Sequence, residues 1–598
     1  MNVKELAYPL DADFILAKKK RLRRELLAED RAWVEKRVAI LGGGTTSDIR
    51  LILELFLLDN GIRPTFYESE YNKFYEDAVF GNEELDTFAP DIVYVCTSTR
   101  NIKGRPHLSD SEDAVSAMLD DEMARFTAVW DGIRTRYHAS IIQNNFELPH
   151  VRLLGNRDAW DHHGMTNFVT RLNAKFADYA ASHDNFYLCD INYLSADYGL
   201  SKWSDPFYWH MYKYALAVPA IPYLAFNVAN IIKSLLGKNK KGMVLDLDNT
   251  LWGGVIGDDG PEGIVLGPEE SEGQAYMEFQ QYIKAHQELG ILLNIDSKND
   301  RENALAGIHH PSSAFREEDF IEIEANWEPK DQNFQKIAQA LNVLPESLVF
   351  IDDNPAERHI VQEQLPGVAA PALTDIAHYA EIIDRSGFFE ATNISADDQK
   401  RNEMYRENAA RARAQSTFKD YGEYLVSLQM KGEIRPFVPL YMARIAQLTN
   451  KSNQFNLTTR RYTQTEIEET AKDAGHITLY GKLVDRFGDN GVVSVVIGNI
   501  VGDACDIELW IMSCRVLKRD MEFAMMDELA AACRQRGLKK IIGHYYPTKK
   551  NKMVKDFYAM QGFTKVEEDA QGNTRWELDI ADGYEKKNRY IEVNEEAK

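Results

Sequence analysis

The stretch VLDLDNTLW at residues 244–252 decides the fold of the middle of the chain. Its apolar start predicts a buried strand over 243–248, and residues two apart on a strand share a face. Asp246 and Asp248 are therefore expected to project together. Two adjacent carboxylates at the end of an apolar strand repel each other unless a cation compensates them. An oxygen-binding ion such as Mg²⁺ resolves this repulsion, and ligands bind at this end of open α/β sheets.

Three further polar elements follow at predicted strand ends or helix starts. They are a hydroxyl after a second strand, a lysine at the start of a helix, and an acid pair after a third strand: Ser297, Lys330, and Asp352 with Asp353. A lysine and the free N–H groups of a helix start can hold phosphate. A single DxD is as often a solvated loop, but four elements in this order indicate an active site. The order is that of the haloacid dehalogenase (HAD) phosphotransferases.

These residue types favour phosphoryl transfer through an aspartyl-phosphate. Asp246 would attack phosphorus, while Asp248 would protonate the departing oxygen and then deprotonate the hydrolysing water. Because a carboxylate is a poor nucleophile towards a phosphate dianion, Mg²⁺ and Lys330 would supply positive charge. Ser297 would bond a phosphoryl oxygen. The other expected phosphate-binding residues are Asn249, Thr250 and Asn299, and the expected metal ligands are Asp246, Asp248 (through its carbonyl), Asp352 and Asp353.

Longer runs around these motifs resemble the FkbH-like family, HAD subfamily IIIC. The likeness is carried by DLDNTLWGGVIGDDG, GIVLG, SKND, WEPK, FIDDNPAER and LTNKSNQFNLTTRR, at residues 246–260, 263–267, 297–300, 327–330, 350–358 and 448–461. In that family a glyceryl group from 1,3-bisphosphoglycerate is dephosphorylated and loaded onto a phosphopantetheine carrier protein, and other members are known only as phosphatases. The resemblance implies an SGNH-hydrolase-like N-terminal domain, a capless HAD core with a Rossmann-like parallel sheet, and a GNAT-like C-terminal domain.

Two departures from the family pattern bear on the reaction. Glyceryl-transferring members resemble a pattern with cysteine directly before Ser-Lys-Asn, and here Asp296 stands at that position, so no thioester can form. Acyl transfer is therefore the alternative, and a phosphatase or phosphotransferase acting on a small phosphorylated metabolite is the main hypothesis. A GNAT pyrophosphate loop needs small residues, whereas this chain has RVLKRD at 515–520. Arg515, Lys518 and Arg519 could attract an anion, but a structural or carrier-docking role is an equal alternative.

The fold class expected for the whole chain is α/β, with several domains. The predicted domains are 1–237 with a leading helix, 238–388 with the HAD motifs, a helical connector at 389–430, and 431–598. Predicted strands cover 37–41, 91–97, 140–143, 185–190, 243–248, 291–295, 348–351, 492–497, 507–512 and 540–545. Predicted helices cover 14–34, 272–289, 330–341, 396–415, 519–535 and 552–562.

The N-terminal domain offers weak hydrolase candidates. A hydroxyl after the glycine turn could stand where an SGNH serine would, with an asparagine as oxyanion donor and an Asp–His pair as base. The residues in question are Thr45, Thr46 or Ser47, Asn144 or Asn145, and Asp205 with His210. Their spacings are loose, and a histidine among aromatic residues is more often part of a packed core, so we assign this domain no catalysis.

Composition limits the classes of partner. The chain has 598 residues, 69 basic against 93 acidic, and a net charge of −24, which argues against general nucleic-acid binding. Its five cysteines lie far apart, as in a protein of the reducing cytoplasm without a disulfide framework. The apolar stretch 214–236 is interrupted by prolines and asparagines, which predicts buried structure and no membrane span. The expected partners are a small phosphorylated substrate and, in the alternative reaction, a carrier protein.

Overall fold

The computed structural model describes residues 3–394, 400–415, 418, 420–451, 454–548 and 551–593. It forms two compact units, Met1–Leu235 and Leu236–Lys598. Residues 395–399, 416–417 and 419 of the predicted connector lie outside the described residues, as do 452–453 within the run at 448–461. The four-domain division stays a prediction.

The first unit is built on a parallel sheet with the strand order β2-β1-β3-β4-β5. The strands are β1 (Val34–Gly42), β2 (Ile62–Glu68), β3 (Ile92–Cys96), β4 (Ser140–Asn144) and β5 (Phe186–Cys189). The helices are α1 (Ala12–Leu27), α2 (Ser47–Asp59), α3 (Phe74–Val79), α4 (Glu83–Phe88), α5 (Glu112–Tyr137), α6 (Met165–Ser182), α7 (Ile191–Tyr198), α8 (Leu200–Trp203), α9 (Pro206–Tyr212) and α10 (Ile221–Leu235). From Val38 to Gly42, where β1 is buried on both faces, its sequence is a continuous apolar run.

The helix predicted over 14–34 is too long by several residues. In the structure α1 ends at Leu27, and Val34 already pairs with Ile62 in parallel register. Between them, Arg31 donates through Nη1 to the carbonyl of Asp59 at the end of α2, at 3.1 Å. Pairing with β2 therefore outweighs the helical periodicity that continues through these residues.

The second unit begins with a parallel sheet of order β8-β7-β6-β9. The strands are β6 (Gly242–Leu245), β7 (Leu292–Ser297), β8 (Ile323–Ala325) and β9 (Leu348–Ile351). The helices are α11 (Ile256–Asp259), α12 (Ser271–Ala285), α13 (Arg301–Ile308), α14 (Lys330–Ala340), α15 (Pro355–Gln364) and α16 (Tyr379–Arg385). Leu245 lies opposite both Ile295 and Ile351, so the residues that follow these three positions reach one edge of the sheet at the same level.

The strand predicted over 243–248 ends earlier, at Leu245. The amide of Asp246 still donates to Ile351, but the carbonyl of Leu247 then accepts from the amides of Thr250 and Leu251. This turn is tightened by Asn249, whose φ of +55° lies in the left-handed region. Asp246 and Asp248 therefore do not share a strand face, which corrects that expectation.

The remainder of the second unit is a mixed sheet preceded by two helices, α17 (Arg401–Gln415) and α18 (Tyr421–Ser427). The sheet order is β16-β17-β15-β14-β13-β12-β10-β18, with β11 paired to β14. The strands are β10 (Met430–Arg435), β11 (Phe455–Asn456), β12 (His476–Asp485), β13 (Gly488–Val501), β14 (Ala504–Met512), β15 (Lys540–Tyr545), β16 (Thr564–Glu568), β17 (Thr574–Asp579) and β18 (Ile591–Val593). The helices are α19 (Met442–Lys451), α20 (Gln464–Lys472), α21 (Met521–Gln535) and α22 (Phe557–Met560).

Alternation along β13 gives this sheet two buried faces. Val495 and Ile497 belong to the core cluster that contains Ile445 of α19, and Val496 belongs to the cluster that contains Met525 of α21. The helix predicted over 552–562 is shorter, since only Phe557–Met560 is α-helical after a 3₁₀ turn. The α/β class is confirmed. In the part of the chain that the structure describes, no helix combines the length and the apolar character needed to cross a bilayer.

Candidate active site

Three carboxylates and one ammonium group meet at the carboxyl edge of the β6–β9 sheet. Asp246, Asp352 and Asp353 each place a carboxylate oxygen within 4.8 Å of the others. Nζ of Lys330 lies 2.9 Å from Oδ1 of Asp246 and 2.5 Å from Oδ2 of Asp352. Lys330 is the first residue of α14, as predicted, and its side chain is only 4% exposed. The sheet register thus brings together residues more than a hundred positions apart.

The charge balance of this group is negative. Burial, and next the charge of Asp246, raise the pKa of Asp352 to about 6, although Lys330 opposes the shift. The same two causes raise the pKa of Asp353. Burial disfavours the charge of Lys330, but the neighbouring carboxylates Asp246 and Asp352 outweigh it and raise its pKa. One ammonium group cannot neutralise three carboxylates, so the site retains an attraction for a further cation.

The donor set of this cluster fits Mg²⁺. A hard divalent ion prefers carboxylate oxygens, and it would remove the mutual repulsion that raises the pKa values of Asp352 and Asp353. Asp246, Asp352 and Asp353 are the residues that would hold it. The carboxylate of Asp248, expected from a shared strand face to point into this cluster, is not one of the three whose oxygens lie within 4.8 Å of one another.

Asp248 is held by three hydrogen bonds. Its Oδ1 accepts from the indole Nε1 of Trp252 at 2.9 Å and from the amide of Ile256 at 3.1 Å, and its Oδ2 accepts from Nδ2 of Asn299 at 2.8 Å. Asn299, expected to bind phosphate, thus positions a carboxylate. The roles of Trp252 and Ile256 had no sequence signal of their own, because they follow from the turn after β6.

The remaining predicted phosphate-binding residues line the same edge. Thr250 accepts at Oγ1 from the amide of Asp353 at 3.2 Å, and Ser297 is the buried last residue of β7. Asn249 uses its side-chain Oδ1 to accept from the amide of Gly254 at 3.0 Å. Asn249 and Thr250 therefore shape the loops around the cluster, and whether Thr250 and Ser297 contact phosphate stays a prediction.

Arg358 is a contributor that sequence reasoning missed. Its Nη1 donates to the carbonyls of Asp352, at 2.6 Å, and Asp353, at 2.7 Å, which fixes the turn carrying both acids. The guanidinium comes from α15, directly after this turn. The signal was present in the run 350–358, where an arginine follows the acid pair by one helical turn.

Asp296 lies beneath the cluster and is fully buried. Its Oδ1 accepts from Nδ2 of Asn333 at 3.2 Å, while its Oδ2 has no hydrogen-bond partner among the described residues. Burial raises the pKa of Asp296 to about 8, and Lys330 only partly opposes this. Below that pH the side chain is therefore a neutral carboxylic acid.

This burial predicts a pH-dependent effect of Asp296→Asn on stability. An aspartate in the unfolded chain has a pKa near about 3.9, so the folded wild type holds an extra proton between roughly pH 4 and pH 8. Its stability falls as pH rises through that window. The amide is neutral throughout, so the stability of the variant relative to wild type is expected to rise from pH 5 to pH 8.

Urea unfolding at several pH values measures this difference. Asp258→Asn, an exposed change on α11, is the matched control and should leave a constant offset. A difference between Asp296→Asn and wild type that is the same at pH 5 and pH 8 would contradict the buried neutral acid.

The hydrolase candidates of the first unit are used for structure. The Oγ1 atoms of Thr45 and Thr46 donate to the carbonyl of Tyr212 and to Glu68, each at 2.7 Å. Asn144 and Asn145 form hydrogen bonds with Tyr94 and Asp190, respectively. Ser47 is the first residue of α2, Asp205 caps α9, and His210 is exposed on α9. The structure does not bring these candidates together as a triad.

Two of the three cationic side chains in the C-terminal loop at 515–520 also form hydrogen bonds within the protein. Arg519 is buried, with Nη1 3.2 Å from Oδ2 of Asp485 and Nη2 3.2 Å from Oδ1 of Asn408. Arg515 donates through Nε to Oγ of Ser513 at 3.2 Å. Of the three cations expected to attract an anion, Lys518 is the exposed one.

Comparison with known proteins identifies a family model and a solved structure that this chain resembles. Residues 37–233 match the family model of the FkbH N-terminal domain. The N-terminal part of BF1531 from Bacteroides fragilis, a structure described as containing a phosphatase domain complexed with Mg, is 28% identical with a TM-score of 0.58. That match covers 63% of this chain and 99% of the other. No curated protein matches the chain.

Acetyltransferase structures match a smaller part of the chain. The GNAT domain of S. lividans PAT is 17% identical, with a TM-score of 0.21, over 25% of this chain and 89% of its own. The ribosomal-protein-S18-alanine N-acetyltransferase of Escherichia coli is 11% identical, with a TM-score of 0.21, over 27% of this chain and 99% of its own.

The parallel sheet, its acid cluster and the likeness to BF1531 define the class of this chain as a multidomain α/β protein with a HAD-like domain. Within that class the chain resembles the FkbH-like proteins, because residues 37–233 match the model of the FkbH N-terminal domain. The resemblance expected from the sequence motifs is confirmed.

Proposed function

We propose that the chain is a Mg²⁺-dependent phosphatase that acts on a small phosphorylated metabolite through an aspartyl-phosphate. The observation that carries this proposal is the contact of Lys330 with both Asp246 and Asp352 at the carboxyl edge of a parallel sheet. Such a group combines a nucleophile with the positive charge that a phosphate dianion requires. The phosphatase domain described for BF1531 supports the same reaction class.

The reaction consists of two displacements at phosphorus, in which Asp246 and Asp248 have different roles. The carboxylate of Asp246 attacks phosphorus, and the bond from phosphorus to the leaving oxygen breaks while Asp248 gives that oxygen a proton. In the second half, Asp248 takes a proton from water, whose oxygen attacks the phosphorus and releases inorganic phosphate and free Asp246. Mg²⁺, when bound, supplies charge that stabilises the transferring phosphoryl group.

Orientation is the contribution of the surrounding residues. Trp252, Ile256 and Asn299 fix the carboxylate of Asp248 by the three bonds described above, so that its proton transfers take place at one position. Lys330 neutralises charge beside Asp246, and Arg358 holds the turn that carries Asp352 and Asp353. These contacts give the site its shape before a substrate arrives.

The activity should depend on a divalent ion. Phosphate release from p-nitrophenyl phosphate and from a panel of phosphorylated acids and sugars is measured with Mg²⁺ and after chelation with EDTA. We expect release with Mg²⁺, loss of at least about 100-fold on chelation, and recovery when Mg²⁺ is restored. Equal rates with and without the ion would refute the proposal.

Glyceryl or acyl transfer to a carrier protein is the second candidate, and the FkbH N-terminal domain is the observation that favours it. Asp296, which is buried where a glyceryl-transferring relative would carry cysteine, weighs against it, because a carboxyl group cannot form the thioester. Incubation with 1,3-bisphosphoglycerate and a phosphopantetheinylated carrier, followed by intact mass measurement, decides between the two. Added glyceryl mass on the carrier would replace the phosphatase proposal.

A further inference from the structure

The first unit contains a second cluster of metal-ligating side chains, on the loop that leads into α6. Asp161, His162 and His163 each place one ligand atom within 4.8 Å of the other two. Asp161 is buried and both histidines are half-buried, so the cluster lies at the surface of the unit with one side closed by protein. None of these residues takes part in the phosphatase chemistry proposed above.

The ring of His163 lies between two acceptors. Its Nδ1 is 2.7 Å from Oδ1 of Asp161, and its Nε2 is 2.9 Å from the carbonyl oxygen of Asp110. A carbonyl can only accept, so Nε2 carries the proton and donates it to Asp110. A neutral imidazole has one N–H, which leaves the lone pair of Nδ1 facing a carboxylate oxygen. That lone pair and Oδ1 of Asp161 would then be a nitrogen and an oxygen ligand for one cation.

The backbone carbonyl contact is the second feature of a metal site. A histidine that binds a metal through one ring nitrogen commonly donates its other N–H to a carbonyl or carboxylate, which fixes the tautomer and the ring orientation. Asp110 provides that acceptor for His163 from a loop about fifty residues earlier in the chain. The ring is therefore already oriented with Nδ1 towards Asp161.

Asp161 is prepared to act as an anionic ligand. The amide of His163 donates to its Oδ1 at 3.0 Å, and Nε of Arg157 donates to its Oδ2 at 2.6 Å. Because Arg157 occupies Oδ2, the oxygen left for a cation is Oδ1, the one that faces His163.

His162 completes a set of three. Its ring centroid lies 3.8 Å from that of His163, and one of its ring nitrogens lies within 4.8 Å of the ligand atoms of Asp161 and His163. Two imidazoles and one carboxylate are the ligands of first-row transition metals, whereas Mg²⁺ prefers oxygen alone. Three protein ligands leave a coordination position for water or a further ligand.

We propose that Asp161, His162 and His163 bind a divalent transition metal ion such as Zn²⁺, at a site separate from the Mg²⁺ cluster of the second unit. Binding of the ion replaces the 2.7 Å hydrogen bond between Nδ1 of His163 and Oδ1 of Asp161, so these two atoms move apart to hold it. Nε2 of His163 keeps its bond to the carbonyl of Asp110, which links the loop before α6 to the loop that contains Asp110. Asp161, His162 and His163 are the ligands, and solvent supplies the remaining position.

Zn²⁺ binding to the full-length chain tests the proposal, with excess Mg²⁺ present to occupy the acidic cluster. Equilibrium dialysis of wild type is compared with His162→Ala, His163→Ala and the control His183→Ala, which changes a histidine at the end of α6. We expect one bound equivalent in wild type and in the control, and at least about tenfold weaker binding in the two cluster variants. Co²⁺ substitution should give the visible bands of a nitrogen-containing, low-coordinate site in wild type and in the control, and not in the two cluster variants.

Comparison of the two cluster variants distinguishes the loss of a metal ligand from misfolding. His163 bonds to Asp110, so its removal can loosen the loop, whereas His162→Ala removes a ligand without breaking that contact. Loss of Zn²⁺ in His162→Ala with an unchanged unfolding temperature supports the site. Wild-type Zn²⁺ stoichiometry and affinity in both cluster variants would overturn it, as would equal loss in the control His183→Ala.

Discussion

Asp246→Asn is expected to lower Mg²⁺-dependent phosphate release by roughly three orders of magnitude or more, the size of effect seen when a covalent nucleophile is removed. The amide occupies nearly the same volume as the carboxylate but cannot attack phosphorus. It also withdraws one of the two negative partners of Lys330, whose Nζ lies 2.9 Å from Oδ1 of Asp246. Steady-state phosphate release at saturating Mg²⁺ measures the loss.

Asp258→Asn is the matched control, because it makes the same chemical change at an exposed position on nearby α11. Its rate should stay at the wild-type value. Rapid acid quenching adds a direct test of the intermediate, since wild type should carry phosphate on Asp246 during turnover and Asp246→Asn should carry none. Undiminished release by Asp246→Asn would show that another group performs the attack.

The sequence motifs predict the acid cluster because it depends on the ends of three strands. Leu245, Ile295 and Ile351 are level in the sheet, so a pattern of apolar runs ending in polar residues is enough to bring Asp246 and Asp352 to one edge, where Lys330 contacts both from the start of α14. Parallel sheets make such predictions reliable, since every strand presents the same end to the ligand. Those parts of the fold follow from local periodicity.

The direction of Asp248 could not be predicted in the same way. It depends on a turn that begins at Leu247, two residues after the end of β6, and on donors from Trp252, Ile256 and Asn299. Asn299 comes from another loop. A period-two pattern assumes that the strand continues, and here the chain turns at Leu247. The error lies in the strand end, where sequence reasoning is weakest.

The sequence left two alternatives open for the cations of the C-terminal loop, anion binding and a structural role, for a related reason. A cationic run such as RVLKRD suggests an anion site, but Arg519 is neutralised by Asp485, which lies 34 positions earlier in the chain. Burial depends on which elements pack over the loop, and local composition does not report it. The same long-range pairing leads to the second large effect.

Asp485→Asn is expected to destabilise the C-terminal part of the second unit by about 3–5 kcal/mol, because it leaves buried cations without their counter-ion. Asp485 is fully buried and accepts two bonds from Arg411 of α17, both at 2.8 Å, and one from Arg519 at 3.2 Å. An asparagine keeps one acceptor oxygen and turns an amide donor towards the guanidinium groups. Both the charge and the hydrogen-bond geometry are lost.

Hydrogen exchange resolves this effect from the unfolding of other regions. Peptides from β12 and α17 should exchange roughly 100-fold faster or more in Asp485→Asn, while peptides from β1 to β5 should be unchanged. The control Asp503→Asn alters an exposed carboxylate whose partner Lys539 is 4.0 Å away, and such surface pairs contribute about 0–1 kcal/mol. Wild-type protection of β12 and α17 in Asp485→Asn would contradict this prediction. It would mean that Arg411 and Arg519 are hydrated in solution and that α17 is held by its apolar contacts alone.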